Sequence, residues 1–206
     1  MKKFFWVLFA LCSVGIGLYP ALYLLRGFAE NGLLSTKSPE LLESIWLVGF
    51  YLHIIPGGLA LLIGWPQFSK RLRGRNIGLH RLVGKAYLLA VGVSGLAGLY
   101  LSFHATGGLI AQLGFGILAV AWLATSWLGW RAVIDGHIER HRNWMIRSYA
   151  LCFAAVTLRI WLPTFLISGW PFEQAYVIIA WLCWVPNLIF AESLILIRKK
   201  KNALAL

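Results

Sequence analysis

Apolar residues run in six long stretches along the chain, at about 4–25, 41–65, 79–103, 108–130, 142–167 and 173–197, with charged and turn-forming residues collected between them. A helix needs roughly 20 mostly apolar residues to cross the hydrocarbon core of a bilayer, because each residue advances it by only about 1.5 Å. Each stretch meets that length, which predicts six transmembrane helices. The connections are short, so successive helices run antiparallel. The expected fold class is therefore all-α: a polytopic membrane protein, one bundle of six transmembrane helices over residues 1–206. The basic start MKKFF before the first stretch is also how a signal peptide opens. That stretch continues to Leu25 without a small-x-small cleavage site, and Leu11 before Cys12 does not suit a lipoprotein box, so it reads as a retained helix.

Composition strengthens this picture. Of 206 residues, 60% are hydrophobic and 13% charged, more apolar surface than a soluble domain of this size can bury. The excess of 19 Lys and Arg over 7 Asp and Glu would suggest nucleic acid in a soluble chain. Here the basic residues sit in short runs between apolar stretches, a topology signal, and no nucleic-acid partner is expected. The run KRLRGR reads as a loop whose partner is acidic lipid.

Charge also orients the chain. Lys2 and Lys3, then Lys70, Arg71, Arg73, Arg75, Arg81 and Lys85, then Arg131, Arg140, Arg142 and Arg147, and finally Arg198 to Lys201 all fall on one side of a six-span arrangement. Only Arg26 and Lys37 fall on the other. The positive-inside rule then predicts both termini in the cytoplasm, in a bacterial cytoplasmic (inner) membrane. Tryptophans near both boundaries fit aromatic belts, and Pro56, Pro163 and Pro186 are expected inside helices.

Ionisable residues at membrane depth are expensive, so candidate chemistry begins with His53, His80, His104, His141, Arg159 and Glu192. His80 in GLHRLVGKAYLL opens the third helix and His141 in HRNWMIRSYAL opens the fifth, at matched depth on helices of the same direction. Two imidazoles so placed suit axial ligation of one b-type haem, with Arg81, Arg142 and Arg147 available to its propionates. The competing reading makes both histidines interfacial residues among basic neighbours. His53, about halfway along the second helix with Gly57 one turn on, suits a haem ligand, a quinone contact, a proton relay or a satisfied core histidine. Its offset from His104 is about a dozen residues, roughly 18 Å along a helix, too far for one iron. Arg159 is expected to anchor a lipid, a quinone head group or a propionate, or to reach the interface, and Glu192 to pair with a nearby basic residue. Gly92, Gly95 and Gly98 are expected to let helices approach. Cys12, Cys152 and Cys183 read as buried small hydrophobes, and HIERH has the wrong spacing for a zinc helix.

With those residues in view, the chain resembles a prokaryotic family of small multi-helix membrane proteins, DUF2306, a domain of unknown function. The likeness rests on His53 and its glycines, Gln67, the basic segment leading into LHRLVGKAY, and HRNWMIRSYAL running on to Arg159 and Pro163. It implies the fold and no activity. More locally, LHRLVG resembles the LHxWxG element of cytochrome b561-type and ferric-reductase-like proteins, which implies a haem-ligand role for His80. The expected function is a redox protein with one haem b on His80 and His141, exchanging electrons with a quinone or partner protein. The alternative is a haem-free small transporter or an accessory subunit of a larger membrane complex.

Overall fold

The structure is a computed structural model and describes residues 2–26, 38 and 45–204. Lys37 and positions 41–44 of the second predicted span lie outside the described residues, as does the side chain of Arg26. The helices are α1 (Lys2–Gly17), α2 (Pro20–Arg26), α3 (Ile45–Gly64), α4 (Lys70–Arg75), α5 (Ile77–Ser102), α6 (Gly108–Ile134), α7 (Ile138–Cys152), α8 (Ala154–Ile167), α9 (Phe172–Leu182) and α10 (Val185–Ala203). A 3-10 turn, Trp65–Phe68, follows α3. No strand occurs among the described residues. Among the described residues, six helical segments are long and apolar enough to cross a membrane: Lys3–Tyr23, Ile45–Phe68, Ile77–Ser102, Gly108–Ile134, Ile138–Ile167 and Phe172–Ala203. These match the six predicted stretches to within a few residues, apart from a sixth span that runs on to Ala203.

Three local features differ from the sequence expectation. KRLRGR is the short helix α4 rather than a loop. The fifth and sixth spans are each interrupted, between α7 and α8 at Phe153 and between α9 and α10 at Cys183 and Trp184. Pro186 is not interior to a helix but sits in the first turn of α10. Proline has no N–H to offer the carbonyl four residues earlier, so α9 ends at Leu182 and the chain restarts as α10. Pro56 and Pro163 do lie inside helices.

The chain divides into two compact units, Met1–His104 and Ala105–Leu206. In the first, α3 lies between α1 and α5. Small residues set the spacing: a Cβ on Gly58 would come within 2.6 Å of the Gly17 carbonyl oxygen, so α1 and α3 touch backbone to backbone. Tyr23, Trp46 and Phe50 form an aromatic core, with Trp46 stacked on Phe50 at 5.4 Å. On α5, Tyr87, Val91 and Ser94 are buried while Leu89 and Leu96 are 71% and 63% exposed. Leucines turned outward along a helix whose small and polar residues face inward need lipid as their solvent.

In the second unit, α6 packs along α7, α9 packs on α6 and α8, and α10 packs on α7. Close approach again uses a small residue, since a Cβ on Gly114 would lie 2.9 Å from the Ala180 carbonyl oxygen. Trp181 Nε1 donates to the Ile110 carbonyl at 3.1 Å and ties α9 to the start of α6.

Candidate functional site

In the first unit, chemistry concentrates where α3 crosses α5. His53 and Gly57 are one turn apart on α3; Ser94 and Gly98 are one turn apart on α5. The helices run antiparallel, so each side chain meets the other helix's glycine. A Cβ on Gly98 would lie 2.8 Å from His53 Nδ1, and one on Gly57 would lie 2.9 Å from Ser94 Oγ. The imidazole is thus seated on bare backbone. His53 Nδ1 is 2.9 Å from the Ser94 carbonyl oxygen, which can only accept, so Nδ1 is the donor. Ser94 Oγ returns a bond to the His53 carbonyl at 2.7 Å. This second bond satisfies a hydroxyl that would otherwise be costly at membrane depth, since Ser94 is fully buried. Of the three glycines spaced along α5, Gly98 makes the close approach, whereas a Cβ on Gly92 meets open space.

A related arrangement occurs in the second unit between α6 and α7. His141, four residues into α7, lies with Nδ1 2.8 Å from the Gly129 carbonyl on α6. Again the carbonyl fixes the proton on Nδ1. Further along the same pair, Ser126 and Ser148 bond to each other at 2.7 Å, both buried. Met145 lies over Gly129, where an added Cβ would meet its sulfur at 2.7 Å.

The expected partner of Glu192 is Arg147. Nε and Nη2 of the arginine reach the two carboxylate oxygens at 2.5 and 2.8 Å, a fork-to-fork pair joining α7 to α10. Trp144 lies under the guanidinium, 4.5 Å from ring centroid to Cζ. Arg147 is therefore engaged by a carboxylate of its own chain. Arg198 approaches Glu139 and Asn143 across the same helix pair, at 3.8 and 3.5 Å.

The interruptions of the fifth and sixth spans share a polar cluster. Asn187 Nδ2 donates to the carbonyls of Ala150 (3.3 Å) and Cys183 (2.9 Å) and lies 3.1 Å from Thr157 Oγ1. Thr157 Oγ1 itself donates to the Cys183 carbonyl. Two side chains thereby satisfy backbone oxygens that the broken helices leave open, as irregular backbone at membrane depth requires.

The remaining predicted residues are placed as follows. His80 is partly buried, four residues into α5, just past the Asn76 cap whose side chain accepts from the Leu79 N–H at 2.9 Å. It belongs to the first unit, while His141 belongs to the second. Arg81 is exposed and Arg142 partly buried. Arg159 Nη1 donates to the Ala155 carbonyl in its own helix at 2.9 Å. His104, in the turn just after α5, has Nδ1 3.4 Å from the Tyr100 carbonyl near the end of that helix. All three cysteines are free thiols, Cys152 and Cys183 buried. Sequence reasoning did not single out Ser94, Ser126, Ser148, Thr157 or Asn187. Their only signal was being polar within apolar stretches, and Ser94 gains meaning only once the register of α3 on α5 is known.

The family model of DUF2306, predicted membrane proteins, matches residues 50–195. The chain belongs to this family. The match takes in His53, His80, His141, Arg159 and Glu192 and begins within α3. DUF2306 membership and six apolar helices together make the chain a multi-span membrane protein. No curated protein and no solved structure matches the chain.

Proposed function

We propose that this DUF2306 protein is a membrane redox protein in which His141 and His80 would hold one b-type haem, and that it exchanges electrons with a quinone or a partner protein. The observation that carries the reading is the bond from His141 Nδ1 to the Gly129 carbonyl at 2.8 Å. A histidine that ligates a metal typically donates its other ring N–H to a backbone carbonyl or carboxylate, which orients the ring and turns the Nε2 lone pair outward. His141 meets that condition, and so the donor chemistry fits the group.

When bound, the haem supplies the one-electron couple. The chain supplies an oriented imidazole and cationic surroundings. Arg81 and Arg142 are the arginines assigned to the propionates, and Arg147, held by Glu192, sets the spacing of α7 and α10. Arg159 is assigned to a head group at the far end of its span. The local likeness of LHRLVG to cytochrome b561-type proteins favours His80 as the other ligand. The surrounding partner is the lipid bilayer of a bacterial inner membrane, with both termini cytoplasmic by the charge rule.

A reduced-minus-oxidised spectrum of protein purified from haem-supplied cells tests this. A Soret and α band is expected, and both are expected to be lost in His141→Ala and in His80→Ala. A haem-loaded protein in which either variant kept full haem content would refute the ligand assignment.

A second reading, a haem-free transporter, is favoured by the paired interruptions at Phe153 and Cys183, because broken helices at membrane depth commonly line binding sites. Absence of any haem band in that preparation would favour it.

A further inference from the structure

We propose that the short helix α4, together with Lys85 on α5, is a docking surface for an anionic phospholipid. The inference is independent of the haem reading and uses neither of its histidines.

Three observations carry it. First, the first unit holds charge that it does not neutralise. Four of the six residues of α4 are Lys or Arg. Among the described residues of Met1–His104 there is no Asp or Glu. The glutamates of this unit, Glu30, Glu40 and Glu43, lie outside the described residues, in the connection that enters α3 at Ile45. α4 follows the other end of that helix, about 30 Å along its axis. In the second unit, by contrast, Arg131, Arg147 and Arg198 reach the carboxylates of Asp135, Glu192 and Glu139.

Second, the cations of α4 divide into one that holds the helix and three that face outward. Arg73 Nη1 donates to the Gln67 carbonyl at 2.6 Å and ties α4 to the 3-10 turn. Lys70, Arg71 and Arg75 are exposed, and among the described residues no ion pair engages them. At 100° per residue the three share an arc of about 140°, and Arg71 and Arg75 are one turn apart. Gly74 lies in the same arc, and a Cβ there would meet open space. Like charges one turn apart oppose a helix, and a phosphate between them relieves that repulsion.

Third, the place selects a lipid. α4 joins the spans Ile45–Phe68 and Ile77–Ser102, so it lies at the edge of the hydrocarbon. Directly after it, Ile77, Leu79 and Leu82 are 54%, 55% and 66% exposed. Leu82, Lys85 and Leu89 are all exposed and share an arc of about 60° on α5. Lys85 is the ninth residue of its span, about 12 Å from the start. Side chains lean toward the N-terminus of their helix, which here is the α4 end, so the lysine stem runs along the leucines and its ammonium toward the boundary. Cations at the edge with leucines below them match a molecule that carries both a phosphate and acyl chains. A nucleic acid would engage the cations alone.

The test uses the full chain in nanodiscs of phosphatidylcholine doped with phosphatidylglycerol. A phosphatidylglycerol with a photoreactive group beside its phosphate should crosslink to residues 70–85 of the wild-type protein, and the matching phosphatidylcholine should not. In native mass spectra, phosphatidylglycerol should be retained in preference to phosphatidylcholine. Lys70→Gln, Arg71→Gln and Arg75→Gln should each lower that preference about fivefold, the usual worth of one cation at an anionic membrane surface. Arg71→Lys should keep the preference, and so should Arg131→Gln, whose guanidinium already has Asp135. Equal retention of the two lipids, or crosslinks that map elsewhere, would overturn the proposal in the wild-type protein without any variant. An equal loss in Arg131→Gln would make the effect one of net charge and overturn it too. Displacement of the phosphatidylglycerol by a short RNA would assign the surface to nucleic acid instead. None of these readouts involves haem, so the two assignments stand or fall separately.

Discussion

The two units solve the same problem by different means. Between α3 and α5 the first unit closes on glycines: His53 occupies the space above Gly98, Ser94 that above Gly57, and the polar groups bond across to backbone carbonyls. Among α6, α7, α8 and α10 the second unit uses paired side chains: Ser126 with Ser148, Arg147 with Glu192, and Asn187 with Thr157. In lipid no hydrophobic gain accompanies helix association, so contact must come from close packing or from polar partners. The first unit relies chiefly on fit. The second relies chiefly on partners, and this is where its helices can afford to break.

That contrast sets the order of expected effects. Gly98→Leu should be the most damaging change, because the new side chain meets the His53 ring and forces α3 off α5. A loss of about 3 kcal/mol is expected, against about 0.5 kcal/mol or less for Gly92→Leu, which meets open space. Reversible unfolding in mixed micelles measures both, and equal losses would show that close fit does not hold the first unit. Next comes Glu192→Gln, which leaves the Arg147 guanidinium without its carboxylate; a loss of about 2 kcal/mol is expected. In a double-mutant cycle with Arg147→Gln the coupling should be about 1.5 kcal/mol. A coupling near zero would mean the pair is incidental.

Asn187→Leu removes the donor shared by the Ala150 and Cys183 carbonyls. About 1.5 kcal/mol should be lost, with faster amide exchange confined to residues around Phe153 and Cys183. Exchange that rose throughout the second unit would argue against a local role. The smallest effect is expected from Ser126→Ala, about 0.6 kcal/mol, the typical worth of one side-chain hydrogen bond inside a membrane. The Trp122 carbonyl that Ser126 Oγ also reaches at 2.8 Å keeps Thr125 Oγ1 at 3.1 Å when the hydroxyl is lost. A cost as large as that of Glu192→Gln would reverse the ranking.

The candidate site was only partly legible from residue order. His53, His141, Arg147 and Glu192 stood out because ionisable groups are scarce in apolar stretches, and the expected Glu192 partner is found in Arg147. The carbonyls that orient His53 and His141 had no signature, since any residue carries one. Ser94 and Gly98 became part of a site only through the register of one helix on another, which periodicity does not encode. The interruption at Pro186 could be read as a kink from the missing N–H. That α7 also breaks opposite it, with Asn187 and Thr157 serving both gaps, depends on two helices lying together.

Sequence alone determined the number, length and order of the apolar helices, because the thickness of a bilayer converts directly into a count of apolar residues and backbone polar groups in lipid must be satisfied within each helix. It also determined where polar groups would need partners. Which partner each one found was decided by the tertiary structure: a hydrogen bond requires two atoms within about 3 Å, and that distance is set by how closely glycines let two helices approach and in which register.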